Sequence, residues 1–344
     1  MEREVFSLIE NTYDKPFKTY NEMIEILESR NITVLNKEFA VQALSNFSYY
    51  SIVNGYKNTF LNKPNSDEFV SGTKFEDLYS LNLIDADLNN IIFKYILHIE
   101  KSLKSKLSYR VSEQFGIFTA RDISCCPNEN DYLHKSHYSN STGMRMNTIN
   151  KIRKCIEENK NRDVIKHYIA EKNHLPSWIL TYVVPFGLTI NWYRILKRDD
   201  KDYICNSFIP NQSIDMEQRK EFLIKSFELL KKYRNAIAHG GRTLGLSDLP
   251  PLPKNQTIFL ADNLLSEDEY RCGRGQCDTY SVFIIILILL NDTTLLREFY
   301  FDLYVFFHKY REHTFNNKSI YKVFDLPNDV LNRMHEYLIK KLSM

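Results

Sequence analysis

The sequence predicts an all-α protein, and three observations predict it. Long stretches repeat apolar residues by threes and fours, the spacing of one helix face. Glycine and proline are scarce, ten of each in 344 residues, which disfavours a turn-rich β sandwich. The longest apolar run, Val282 to Leu290, is nine residues, short of the about 20 that cross a membrane, and reads as a buried helix.

Composition bounds the rest. The length suggests about two domains or one large one. An apolar fraction of 43% is ample for a core, and tyrosine and phenylalanine are abundant at 22 each. The net charge is only +2, so nucleic-acid binding would have to come from a local patch. The start, Met-Glu-Arg-Glu-Val-Phe, lacks the basic leader and apolar run of a signal peptide, and a cytoplasmic location is expected. Cysteines 125, 126, 155, 205, 272 and 277 are dispersed and read as free thiols. Neither Cys272-Gly-Arg-Gly-Gln-Cys277 nor Cys125-Cys126 has a matching second pair, so no metal site and no cofactor are expected.

Taken in order, residues 15–62 read as a lead and two helices. Thr19 and Glu22 have capping-box spacing, and Met23, Ile24, Ile26 and Leu27 give an apolar face. After Asn31, a second helix carries Phe39, Ala43, Leu44 and Phe47. The aromatics of 46–56 are expected to pack a helix–helix joint, base stacking being the alternative. Asp85 to Phe115 is a long amphipathic helix on Leu88, Ile92, Tyr95, Ile99, Leu103 and Leu107. Its other face carries Glu100, Lys101, Lys104, Lys106 and Arg110, read either as solvated or as a phosphate track.

Residues 116–144 lose periodicity and read as an irregular insertion. His134 and His137 look like surface decoration, and Lys135, Tyr138 and Arg145 are candidates to touch RNA. Helical patterns resume at 145–173. Pro176 stands at a first helical turn before Trp178, and Pro185 with Gly187 implies a break. A helix over about 214–239 follows. Asp248 to Asn255 is a proline-rich connector, and Ser281–Leu290, Leu295–Tyr310 and Val330–Leu342 read as three further helices, the apolar one packed between its neighbours. No repeat period emerges.

The 214–239 helix ends in Lys231-Lys232-Tyr233-Arg234-Asn235-Ala236-Ile237-Ala238-His239-Gly240-Gly241-Arg242. Leu223, Phe227 and Leu230 set its apolar line, and Arg234 falls roughly 20–40° from it. A guanidinium there is costly unless it finds an anion. His239 lies about 140° further round. One alternative is an exposed basic helix end whose dipole favours a cation. The other is chemical, because Arg-Asn-x-x-x-His resembles the motif of HEPN ribonucleases.

The chain also resembles the abortive-infection family of the AbiD/AbiF type. Lys15-Pro16, the Thr19–Leu27 helix, Phe47-Ser48-Tyr49-Tyr50 with Gly55-Tyr56, and Phe75-x-x-Leu78-Tyr79 carry that resemblance. So do Asp85 to Tyr109, Leu175-Pro176-Ser177-Trp178-Ile179 and Phe186-Gly187. Their order spans roughly residues 15–245. The resemblance implies a HEPN-type helical bundle at 81–245, with an Abi-type N-terminal helical region at 1–80 and a C-terminal helical region at 246–344.

The resemblance further implies anti-phage defence by a metal-independent endoribonuclease. Arg234, Asn235 and His239 would form its catalytic set. Lys231, Lys232, Arg242, Lys101 and Lys104 would bind RNA, although relatives tend to carry arginine where this chain has Lys104. With one motif per chain, two copies would pair around a shared cleft. The AbiF-like branch resembles the HEPN units of type VI RNA-guided CRISPR effectors, and implies a bound small non-coding RNA; no membrane partner is expected. A ribonuclease using the substrate's 2′-hydroxyl needs a proton-transfer group, which histidine suits, and a cation for the phosphorane-like charge, which arginine suits. The alternatives are an RNA-binding HEPN module with little catalysis, holding a non-coding RNA or a protein, and a helical adaptor.

Overall fold

The computed structural model describes residues 14–63, 66, 68–119, 127–172, 174–210 and 213–343. Among them the regular structure is almost wholly helical, the exception being a pair of two-residue strands, Thr314–Phe315 and Lys318–Ser319. The chain divides into two compact units, one of residues 1–84 with 314–318 and one of residues 85–313 with 319–344. The segment after residue 245 therefore clusters with 85–245.

In the first unit, α1 (Tyr20–Ser29) starts at the expected capping box: Thr19 Oγ1 accepts from the Glu22 N–H at 3.3 Å, and Glu22 Oε2 accepts from the Thr19 N–H at 2.7 Å. Ile24 and Leu27 are buried, and Asn31 ends the segment at φ 68°. Helix α2 (Lys37–Tyr49) is capped by Asn36 and fastened by Glu76, whose Oε1 accepts from the Leu35 and Asn36 N–H groups at 3.1 and 3.2 Å. It breaks at Ser48 (φ 64°, ψ 154°), a conformation that strains any side chain, and passes into the π-helical turn Tyr50–Asn54. The aromatic cluster is thereby split. Tyr56 is buried and Phe47 packs edge-on to Tyr79, as expected of a joint, but Tyr50 is exposed.

Helix α3 (Phe75–Phe115) begins ten residues before the expected Asp85. Phe75, Leu78, Leu81 and Ile84 are all buried, and no glycine or proline separates them from Leu88, so the apolar line is continuous. The second unit takes α3 from Asp85 onward. There follow α4 (Arg145–Glu158), α5 (Asp163–Glu171), α6 (Ser177–Leu180), α7 (Phe186–Ile195), α8 (Arg198–Phe208) and α9 (Met216–Ala238). Pro176 and Pro185 each stand just before a helix, and the second makes the expected break. Helix α8 was not expected. Its sequence looks solvated, but Asp200 is buried against Arg110 at 2.8 Å and Lys106 lies 5.2 Å from the Phe208 ring centre. The face of α3 expected to be either solvated or a phosphate track is, at Lys106 and Arg110, an interface with α8, and burial pushes the Lys106 ammonium below its ordinary range.

The described part of the insertion is mostly irregular but anchored. Tyr132, Leu133 and Tyr138 are buried; the Tyr138 hydroxyl donates to the Tyr132 carbonyl at 2.8 Å and accepts from Trp192 Nε1 at 3.0 Å. Tyr138 is therefore a core residue and cannot contact RNA. Of its proposed companions, Arg145 spends one N–H on the Tyr138 carbonyl at 3.3 Å, and Lys135 stays exposed. His137 stacks on Phe115 at 4.6 Å. Cys125 and Cys126 lie outside the described residues.

Helices α10 (Lys254–Ala261), α11 (Glu267–Arg271), α12 (Thr279–Leu289), α13 (Thr293–Tyr310), α14 (Ile320–Val323) and α15 (Val330–Leu342) complete the unit. Helix α12 is buried all round, and its last carbonyls, at Leu287, Ile288 and Leu290, accept from Lys341 Nζ at 2.7–2.9 Å. The chain does contain a short internal repeat. Asp87-Leu88-x5-Lys94-Tyr95-x2-His98 on α3 recurs as Asp302-Leu303-x5-Lys309-Tyr310-x2-His313 on and just after α13. The copies clasp each other: Asp302 accepts from Lys94 and Tyr95 at 3.0 and 2.7 Å, and Asp87 accepts from Lys309 at 2.8 Å and from Tyr310. No helix among the described residues is long and apolar enough to cross a membrane.

Candidate functional site

Helix α9 is positioned along its whole length. Asp215 caps its start, accepting from the Glu217 N–H at 2.9 Å. Phe222, Leu223, Phe227, Leu229, Leu230 and Tyr233 are buried on it. Burial pushes the Tyr233 hydroxyl well above its ordinary range, against a hydrogen bond with Thr279.

The helix ends in a two-bond turn. The Gly240 N–H donates to the Ile237 carbonyl at 2.9 Å and the Gly241 N–H to the Ala236 carbonyl at 2.8 Å. Gly240 supplies φ 70°, and His239 is the capping residue, its N–H donating to the Asn235 carbonyl at 3.1 Å. Just beyond, buried Thr243 donates to Asn89 and lies 3.4 Å from Asp85, both on α3. The exit of α9 is thus pinned beside the early turns of α3, while Arg234 meets Glu100 further along. The two helices run antiparallel.

Arg234 finds the anion that its place near the apolar line demanded. Its Nε lies 3.6 Å from Glu100 Oε2, both atoms are buried, and neither makes a hydrogen bond among the described residues. Glu100 is 6% exposed and its Oε1 takes Lys104 Nζ at 2.8 Å. One buried carboxylate therefore stands between two cations. The Arg234 side chain keeps 32% exposure, and because Nε is buried that exposure lies elsewhere on it; Nη1 is 3.3 Å from Asn235 Oδ1. Asn235 is exposed, touching Arg234 through its side chain and His239 through its carbonyl.

The structure brings together Arg234, Asn235, Glu100 and Lys104. The His239 imidazole is exposed at the helix end, and its ring makes no hydrogen bond among the described residues. Lys101 and Lys232 are exposed, and Arg242 is half-buried. Lys231 lies along Gly187, where an added Cβ would sit 3.2 Å from Lys231 Cδ, so this glycine makes room for the lysine stem. Glu100 lies on the face whose sequence fits either a solvated surface or a phosphate track, and the structure buries it. Its signal was available, since Ile92, Ile96, Glu100 and Lys104 follow one another at four-residue spacing and the carboxylate continues an apolar line. Among the described residues no group of three or more His, Cys, Asp or Glu is placed to hold a metal ion.

These features define an all-α protein in which the end of α9 presents an arginine, an amide and a histidine. A family model described as Abi-like protein matches residues 42–244, more than half of the chain, and spans the second half of α2 through Leu244. The chain belongs to the Abi-like family. Comparison with curated proteins and with solved structures returned no match.

Proposed function

We propose that this protein is a metal-independent endoribonuclease of the HEPN type, acting in the abortive infection that its family membership suggests. The observation that carries the proposal is the exposed end of α9, where Arg234 is steadied by buried Glu100 and His239 is left open to a ligand. Arg234 engages the scissile phosphate and offsets charge developing on it, through planar donors that a lysine lacks. His239 moves the proton of the attacking 2′-hydroxyl or of the leaving oxygen. Asn235 orients Arg234 and the phosphate. Lys231, Lys232, Arg242 and Lys101 hold the flanking backbone, and Lys104 serves the site chiefly through Glu100.

Arg234 and His239 lie about 140° apart around one helix, which supports a homodimer whose two helix ends share one cleft. The same separation favours, as a second reading, an RNA-holding protein with little catalysis. Purified protein incubated with RNA and EDTA, resolved on a denaturing gel, tests the choice. Cleavage that persists in EDTA and disappears in His239→Ala and Arg234→Ala supports the nuclease. Binding without any cleavage by the unaltered protein supports the second reading.

A further inference from the structure

We infer that Trp178 and Tyr182 form a stacking shelf for unpaired bases of the strand whose phosphate reaches Arg234; this rests on the proposed ribonuclease reading. Between Leu175 and Val184 the core is filled by Leu175, Leu180 and Val184, all buried, whereas Trp178 and Tyr182 remain 43% and 73% exposed. Tyr182 thus stands mostly outside that core and Trp178 keeps nearly half of its surface open, four residues apart.

Both ends of this segment lead to the candidate site. At one end, Ser177 Oγ donates to the Ser108 carbonyl at 2.8 Å and lies 2.7 Å from Ser112 Oγ. Ser108 and Ser112 continue the four-residue line of Glu100 and Lys104, the first of them about 6 Å along α3 from Lys104. At the other end, Gly187 lies against Lys231, one turn before Arg234 on α9. The aromatics therefore sit on a bridge between the two helices that hold Glu100 and Arg234.

The charges beside the shelf fit a polyanion. Lys231 forms no ion pair among the described residues, and neither does Arg162, which lines a groove with Tyr182, Val183 and Val164; Asp163 is the one acid lining that groove. Arg162 beside Tyr182, with Lys231 against Gly187 a few residues further along the chain, supplies the makings of a single-strand site, where backbone charge and base stacking act together. A duplex keeps its base faces stacked internally, so the shelf selects unpaired RNA.

Tryptophan fluorescence reads the shelf directly. The chain has two tryptophans, and Trp192 is fully buried, so quenching by added RNA reports Trp178. Full-length His239→Ala keeps the strand intact while a short oligoadenylate, an abasic strand of equal length and a duplex are compared. Oligoadenylate quenches the emission, and the abasic strand and duplex do not. Trp178→Ala and Tyr182→Ala each weaken oligoadenylate binding about five- to thirtyfold, leave abasic binding unchanged, and Trp178→Phe restores most of the loss. Absent quenching, with oligoadenylate binding that still depends on Arg234, overturns the shelf and leaves the nuclease reading standing. Equal losses for oligoadenylate and the abasic strand also overturn it. Base-dependent quenching in a protein that cuts no RNA upholds the shelf and removes the nuclease.

Discussion

Glu100 on α3 and Arg234 on α9 form a buried contact, Oε2 to Nε at 3.6 Å, with Lys104 on the carboxylate's other oxygen at 2.8 Å. A buried carboxylate so placed is a positioning group: it holds the guanidinium stem while the rest of the side chain faces outward. Removing it leaves two cations facing each other with no anion between them. Glu100→Ala should cost about 1–3 kcal/mol in thermal or urea unfolding, below the loss for a fully buried pair because Arg234 is partly exposed. The functional readout differs from the structural one. In the folded variant kcat should fall more than KM rises, and Glu100→Asp should recover less activity than stability, because a shorter carboxylate satisfies charge but not reach. Equal recovery of both would reduce Glu100 to a purely structural role.

The turn after α9 sets where His239 stands. Gly240 has φ 70° with open space around its α-carbon, so Gly240→Asn should be tolerated and Gly240→Val should cost about 1–2 kcal/mol. At Gly241 an added Cβ would lie 2.8 Å from the Ala236 carbonyl oxygen, a backbone atom that cannot step aside. Gly241→Ala should therefore break the terminal hydrogen bond and lower cleavage while circular dichroism shows the helices intact. Full activity in that variant would show that the turn does not govern the histidine.

Much of this was legible in the sequence. The length and end of α9, the capping box at Thr19 and the demand of Arg234 for an anion all followed from spacing and side-chain chemistry. The identity of that anion did not, because Glu100 lies between an apolar stripe and a charged face, and only the partner helix decides which side is covered. Helix α8 was missed for the same reason: its Asp200 and Phe208 are buried by Arg110 and Lys106, ninety or more residues away in sequence, and no local pattern announces that. Tyr138 looked like a loop aromatic until Trp192 and Tyr132 enclosed its hydroxyl.

Salt dependence separates the phosphate-binding cations from the buried one. Lys231→Ala, Lys232→Ala, Lys101→Ala and Arg242→Ala should each weaken RNA binding and flatten the slope of log K against log salt by about 0.7. Lys104→Ala should change the slope less, since its ammonium already sits on Glu100. Slopes that do not move in any of the four would exclude them from the RNA path. A loss of about 0.7 in Lys104→Ala would place that residue on a phosphate.

The C-terminal helices offer a pH test independent of the site. Burial tends to raise the Glu269 carboxyl, but Arg333, with Nη1 at 3.0 and 2.8 Å, and the Ser266 cap outweigh it and hold the group at about 2, from an ordinary 4.5. A depressed carboxyl stabilises the fold above its unfolded value, and that contribution disappears as pH falls through the folded one. Stability should therefore drop between pH about 4.5 and about 2. In Glu269→Gln the melting temperature should be lower at neutral pH and the acid limb shallower. An acid limb identical to that of the unaltered protein would contradict the assignment.

On the proposed ribonuclease reading, His239 and Arg234 cut RNA by turning its own 2′-hydroxyl on the neighbouring phosphate. A strand with hydrogen in place of the 2′-hydroxyl at the single nucleotide before the cleaved bond measures this most directly. This one change should stop cleavage at that bond, in EDTA as in its absence, while binding persists, and the unmodified strand should yield a product ending in a 2′,3′-cyclic phosphate. Undiminished cleavage of the substituted strand, or a product bearing a 3′-hydroxyl, would contradict it.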